Sequence, residues 1–198
     1  MSTIKVNTIE NRNGSNINIG KSGTTVGFVA GTTVDFSTNS PTISGLTASD
    51  VSGVATVNGI TEADQWRLTA NKTSNGDLNA NLERNDAGSF GYIGTGMSES
   101  SGIFTFPSTG IWLVEFNVMT NDRISGDIMV TIDNSSYSTV ARIEADSSLQ
   151  SCFTSFMFDV TSTSTHKCKF NRSGGTGTIY GNTFTNYTSF TFIRLGDT

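Results

Sequence analysis

Beyond about residue 60 of this 198-residue chain, large apolar side chains recur at every second position. Trp112, Val114, Phe116 and Val118 alternate with Leu113, Glu115 and Asn117. A period of two puts the first set on one face of a strand and the second on the other. Trp112 and Phe116 are therefore predicted core residues. Trp66, Leu68 and Ala70 alternate before a polar turn at 72–76, and Ile128, Val130 and Ile132 before Asp133-Asn134. Thr154, Phe156, Phe158 and Val160 make a further face, and Phe190 and Phe192 another. Spacing of this kind predicts about seven to ten antiparallel strands in a sandwich or barrel. Residues 77–92 fit no single period: Leu78 and Leu82 suit one helical turn or part of a strand, and both readings stand. Leu113 and Ile193 fall out of register with Trp112 and Phe192, which predicts a second apolar face available for self-association.

The first 60 residues follow another rule. Gly23-Thr24-Thr25-Val26-Gly27-Phe28 returns eight residues later as Gly31-Thr32-Thr33-Val34-Asp35-Phe36. Apolar pairs at i and i+2 run through Ile17/Ile19, Val26/Phe28 and Val34/Phe36 to a lone Ile43. Each pair is a short strand with one apolar edge, too thin to bury that edge alone, and such repeats gain a core by stacking or association. A three-chain β-stalk with the pairs on its axis satisfies this; a flexible Gly/Ser/Thr linker is the competing reading. Only Phe28 and Phe36 among the aromatic residues precede residue 60, so a core built from large side chains is possible only after it. The division expected is a segment of repeats over 1–60 and a compact head over 61–198.

Composition narrows the class. Thr (30), Ser (26), Gly (21) and Asn (18) make nearly half the chain, which excludes a helical bundle and favours strands and turns. Thirteen Phe and no block of like charges argue against disorder. A net charge of −5 with 12 basic residues predicts no nucleic-acid partner. No apolar run reaches the ~18 residues of a membrane helix, and Met1–Thr8 lacks the apolar core of a signal peptide. Synthesis in a cytoplasm without membrane insertion is expected.

Catalytic patterns are sparse. His166 is the single histidine, between Thr165 and Lys167 at a predicted strand start, and is expected to be solvated; a Ser-His-Asp arrangement would need it. One His and two Cys make no zinc pattern. Gly20-Lys21-Ser22 lacks the first glycine of a phosphate loop, since Ser15 holds that place, and its flank alternates like a strand. Paired acids could hydrolyse polysaccharide, but no pair stands out. Only Glu115 is mid-strand, on the face opposite Trp112 and Phe116, the face expected at a subunit interface. Asp122, Asp127 and Asp133-Asn134 could gather calcium, yet their spacing matches no loop motif. If Thr161–Thr165 closes a hairpin, Cys168 falls opposite Phe158 and Cys152 opposite Gly174; a disulfide needs Cα atoms within ~7 Å, so two free thiols are expected. No enzyme activity, cofactor or metal is predicted.

Two segments resemble known families. Gly102-Ile103-Phe104-Thr105-Phe106-Pro107, with Gly110, Trp112, Val114, Phe116 and Val118 after it, resembles the central strands of complement-head and tumour-necrosis-factor jelly rolls. Phe184, Tyr187, Phe190 and Phe192 are similar to their last strand. The resemblance covers roughly residues 90–195 and implies a ten-stranded jelly roll that forms an obligate homotrimer, often on a stalk. Ser2-Thr3-Ile4-Lys5-Val6-Asn7-Thr8-Ile9 resembles the opening of fibre and virion structural proteins of cyanobacterial phages. Together these imply an all-β virion protein: a short repetitive trimeric β-stalk, then a jelly-roll head. Residues 1–60 would attach to other capsid or tail proteins, and the head would bind a host-surface glycan. The alternative is a capsid decoration or cement protein with a structural role alone. Recognition is expected on the head's loops, with Asp122, Arg123, Arg172 and Tyr180 as candidate ligand contacts; ordinary solvated turns are the competing reading.

Overall fold

The computed structural model describes residues 59–198 apart from Ala87 and Ser89. The repeats of residues 1–58, and with them the expected stalk and attachment segment, lie outside the described residues. Every named element of the described residues is a strand: β1 (Ala63–Leu68), β2 (Gly76–Asp77), β3 (Leu82–Arg84), β4 (Ser98–Ser100), β5 (Ile103–Thr105), β6 (Gly110–Thr120), β7 (Ile124–Thr131), β8 (Ser138–Ala145), β9 (Gln150–Val160), β10 (Lys167–Gly175) and β11 (Ser189–Gly196). Eleven strands exceed the expected range because β2 to β5 are only two or three residues long, too short to leave a periodic signature. Residues 77–92 contribute β3 and part of β2, so the helical-turn reading is excluded there.

The strands form two antiparallel sheets. Sheet I has the order β3-β1-β11-β6-β9; sheet II has the order β4-β5-β10-β7-β8, with β2 beside the far end of β10. Alternation along β6 is strict, and Trp112, Val114, Phe116 and Val118 are all buried, as expected. Their partners across the sandwich are aromatic. Phe104 of sheet II lies 5.0 Å from Phe192 and 5.9 Å from Phe190 of sheet I, and Phe170 lies 4.4 Å from Phe190. Rings tilted or edge-on at these separations add to the burial of their area.

Three expectations are corrected. β9 and β10 do not form a hairpin; the chain crosses from sheet I to sheet II between them. Cys152 therefore pairs with Val118, and Cys168 with Phe104 and Val130. Both thiols are free, and burial pushes the Cys168 pKa far above the ordinary thiol range. His166 is buried, not solvated. Its ring stacks on Phe158 at 5.4 Å and shares hydrogen bonds with Thr161 and Thr165, in the turn where the chain changes sheets. Ile132 does not extend the buried face of β7: that strand ends at Thr131, and Ile132 is exposed.

Candidate functional site

Register sorts the loops into two ends. β1 and β6 run the same way, each antiparallel to β11. The end holding residues 60–62, 107–109 and 161–166 is the basal end; residues 69–75, 121–123 and 176–188 lie at the opposite, apical end. The loops predicted to bind are gathered at that apical end.

There they are tied together internally. Asp122 accepts hydrogen bonds from the Arg123 backbone N–H (2.7 Å) and the Thr176 hydroxyl (3.0 Å). These bonds, the Arg123 amide first, hold its carboxyl below the usual carboxylate range. Asn121 accepts the Thr178 N–H at 2.8 Å, and the Gly177 N–H donates to the Arg123 carbonyl at 2.8 Å. Gly175 has φ +92°, and a Cβ there would lie 2.1 Å from the Arg123 carbonyl oxygen, so only glycine lets the two loops approach this closely. Arg123 is exposed, and Tyr180 is half-buried with its N–H on the Met119 carbonyl.

Arg172 departs from the expectation. It sits in β10, not in a loop, and is 2% exposed. Its guanidinium donates to Asn75 Oδ1 and to the carbonyls of Gly175 (2.8 Å) and Gly177 (2.7 Å). A group so enclosed cannot meet a ligand; it positions the apical loops. The run from Asn171 to Gly177 reads as a loop because of its glycines, yet it pairs with β7 through an irregularity between Arg172 and Gly174. The calcium candidates are not brought together either. Asp127 is buried and ion-paired to Arg142 at 2.7 Å, while Asp133 is spent on its own turn, accepting Thr131, Ser135 and Ser136. Asp122 lies at the apical end and Asp133 at the basal end. Among the described residues no His, Cys, Asp or Glu cluster suits a metal ion.

A second feature is the outward face of sheet I. Cross-strand pairing aligns Met157, Leu113, Ile193, Ala63 and Ile93 in one continuous apolar row. The next row, toward the apex, is polar: Ser155, Glu115, Thr191 and Gln65, with Gln65 donating to Thr191 at 2.9 Å. A third row begins with Phe153 and continues through Asn117 and Ser189 to Arg67, whose guanidinium meets Glu83 at 3.1 Å. Met157 is 61% exposed and Phe153 58%, although both sit in a regular strand. Leu113 and Ile193 were legible as a second apolar face and are direct cross-strand neighbours. Phe153 and Met157 were missed, because apolar residues occupy both parities of 152–158 and the buried set masks the exposed one.

At the β1 end of the apolar row lies a cavity of about 460 Å³, lined by Ala63, Gln65, Tyr92, Ile93, Thr191 and Ile193 among others. Its outer wall is held firmly. Ile93 and Ala63 exchange backbone hydrogen bonds of 2.8 and 3.1 Å, and Glu62 accepts the N–H groups of Thr95 (2.8 Å) and Gly96 (3.1 Å). The Arg84 guanidinium is sandwiched between the rings of Trp66 (5.0 Å) and Tyr92 (4.6 Å) and paired with buried Asp64.

No protein-family model matches the sequence, and no curated protein matches it significantly. Solved structures do share the fold. Eiger TNF from S. frugiperda superposes with a TM-score of 0.54 at 12% identity, covering 71% of this chain and 96% of that one. Murine APRIL at pH 8.5 superposes with a TM-score of 0.51 at 14% identity, covering 68% and 98%. The described residues thus form an all-β, antiparallel sandwich of the tumour-necrosis-factor jelly-roll type. At this identity the likeness concerns the fold alone.

Proposed function

We propose that the chain is a virion structural protein, a short homotrimeric fibre or fibre tip. Its heads associate through the outward face of sheet I, and their apical loops meet a host-surface glycan. The amino-terminal segment would grip other virion proteins. One observation carries the association: a row of apolar side chains crosses four of the five strands of sheet I, from β9 to β1, on its solvent side. Exposed apolar area of that continuity marks an interaction surface. The apical loops support the recognition half, because they are cross-tied yet leave Asn121 and Arg123 exposed, with Tyr180 half-buried in the same group of loops. Three copies would raise a weak single-site affinity by avidity. The viral assignment is supported by the amino-terminal resemblance and by the repeats that precede the head. No reaction is assigned.

The test is to locate the protein in intact particles with antibody against the head and electron microscopy. Label at the tail is the expected result. Label spread over the capsid faces would replace the fibre reading with capsid decoration, and label on no particle would overturn the viral assignment.

A further inference from the structure

We infer that the cavity beside β1 receives Met157 of a second copy, so that the heads join head to tail. This rests on the reading of sheet I as the face of self-association and specifies how its two edges meet.

The first observation is an edge that needs covering. β9 is the outer strand of sheet I, 11 residues long, with Asp159 as its only charge and no Lys or Pro. The other outer strands are blunted by charge: β3 carries Glu83 and Arg84, β4 carries Glu99, and β8 carries Arg142 and Glu144. β8 lies beside part of β9 without pairing with it, and an edge with one charge left unpaired invites uncontrolled strand pairing. A defined neighbour along β9 prevents it.

Level is the second observation. Met157 projects from the β9 end of the apolar row, and the cavity opens at the β1 end of the same row, three strand spacings or roughly 14 Å away. Rotation about an axis running along the strands preserves height. Such a rotation carries one copy's Met157 to the level of the next copy's Ala63, Ile93 and Ile193. The contact is heterologous, edge to cavity, and a rotation of one third closes it into a ring of three. Phe153 lies two rows from Met157, at a height where β1 presents Arg67 and no cavity.

Side-chain chemistry agrees with this. The unbranched Met157 side chain adapts to an irregular apolar space, and its sulfur would meet the Tyr92 ring that Arg84 holds in place.

The experiment is cysteine cross-linking in the full chain with Cys152→Ser. Met157→Cys and Ile93→Cys are made singly and together; both positions are surface-exposed, so neither change touches the core. After mild oxidation, the double variant should run as covalent trimer on a non-reducing gel, and each single variant as monomer. Covalent dimer from Met157→Cys alone would mean that Met157 meets its own counterpart, and would overturn the inference. A trimer by sedimentation with no cross-link in the double variant would also overturn it while leaving self-association intact. A monomer by sedimentation would instead remove the reading on which it rests.

Discussion

The two sheets share one core, but only sheet I carries an uncharged apolar row across its outward face. On sheet II the outward positions of β10 are Lys167, Lys169 and Asn171, flanked by Asp77, Asp127 and Arg142. They are satisfied by pairs such as Lys169–Asp77 at 2.8 Å and Arg142–Asp127 at 2.7 Å. On sheet I one row, Met157, Leu113, Ile193 and Ala63, carries no charge, although Glu115 and Arg67 stand in the next two rows toward the apex. Both sheets alternate with the same period, so burial of the inner face explains neither outer face. Solvent explains sheet II. On the proposed association, a second copy explains the apolar row of sheet I.

The largest break in that comparison should come from charging each face in turn. Leu113→Asp buries an unpaired carboxylate in the proposed interface and should weaken association by on the order of a thousandfold. Thr139→Asp, outward on sheet II, should leave the mass in solution unchanged. Equal behaviour of the two variants would erase the distinction between the faces. Next in size is the shared core: Phe116→Ala or Trp112→Ala should each cost about 3–5 kcal/mol of head stability by denaturant titration. Phe153→Ala, at an exposed position, should leave the stability of a dissociated head unchanged.

A smaller effect concerns the polar face. Burial alone would raise the Asp77 pKa, but hydrogen bonds from Lys169 and Asn171 and the charges of Lys169 and Lys72 outweigh it and lower the pKa below 3.8. The stability Asp77 contributes is thus complete above its ordinary pKa and is lost as pH falls through the lowered one. Asp77→Asn should flatten the acid limb of a stability–pH curve by about 1 kcal/mol or less, the scale of an exposed ion pair. An unchanged acid limb would assign that limb to other carboxylates. The least perturbing probe is a thiol reagent. Cys168, buried beneath sheet II with its pKa pushed up by burial, should react only after the head unfolds. Half-buried Cys152 on the β9 edge should react slowly in the native state.

The unbroken alternation of β6 was readable in the residues, whereas β8 and the second half of β10 were not, nor were contacts between strands far apart in the chain. β6 is 11 residues of unbroken alternation, and its faces follow from period two alone. So did the outward placing of Leu113 and Ile193. Short strands such as β2 and β4 carry too few residues to show a period. The β9–β10 crossover looks like a hairpin locally, because a polar Thr/Ser turn joins strands of one sheet or of two equally well; pairing with β6 and β7 decides it. The buried states of Arg172 and His166 were hidden for a related reason. A polar side chain is buried when partners such as Asn75, Gly175 and Gly177, or Phe158 and Thr161, converge on it through the fold. The cavity beside β1 likewise joins residues near 63, 92 and 193 that no local pattern links.

The central claim is that the outward face of sheet I is covered by two further copies of the chain. Sedimentation equilibrium of the full chain at micromolar concentration tests it most directly. The account predicts a single species of about 63 kDa, three chains of 21.0 kDa closed in a ring. A single species of 21.0 kDa at that concentration would contradict it.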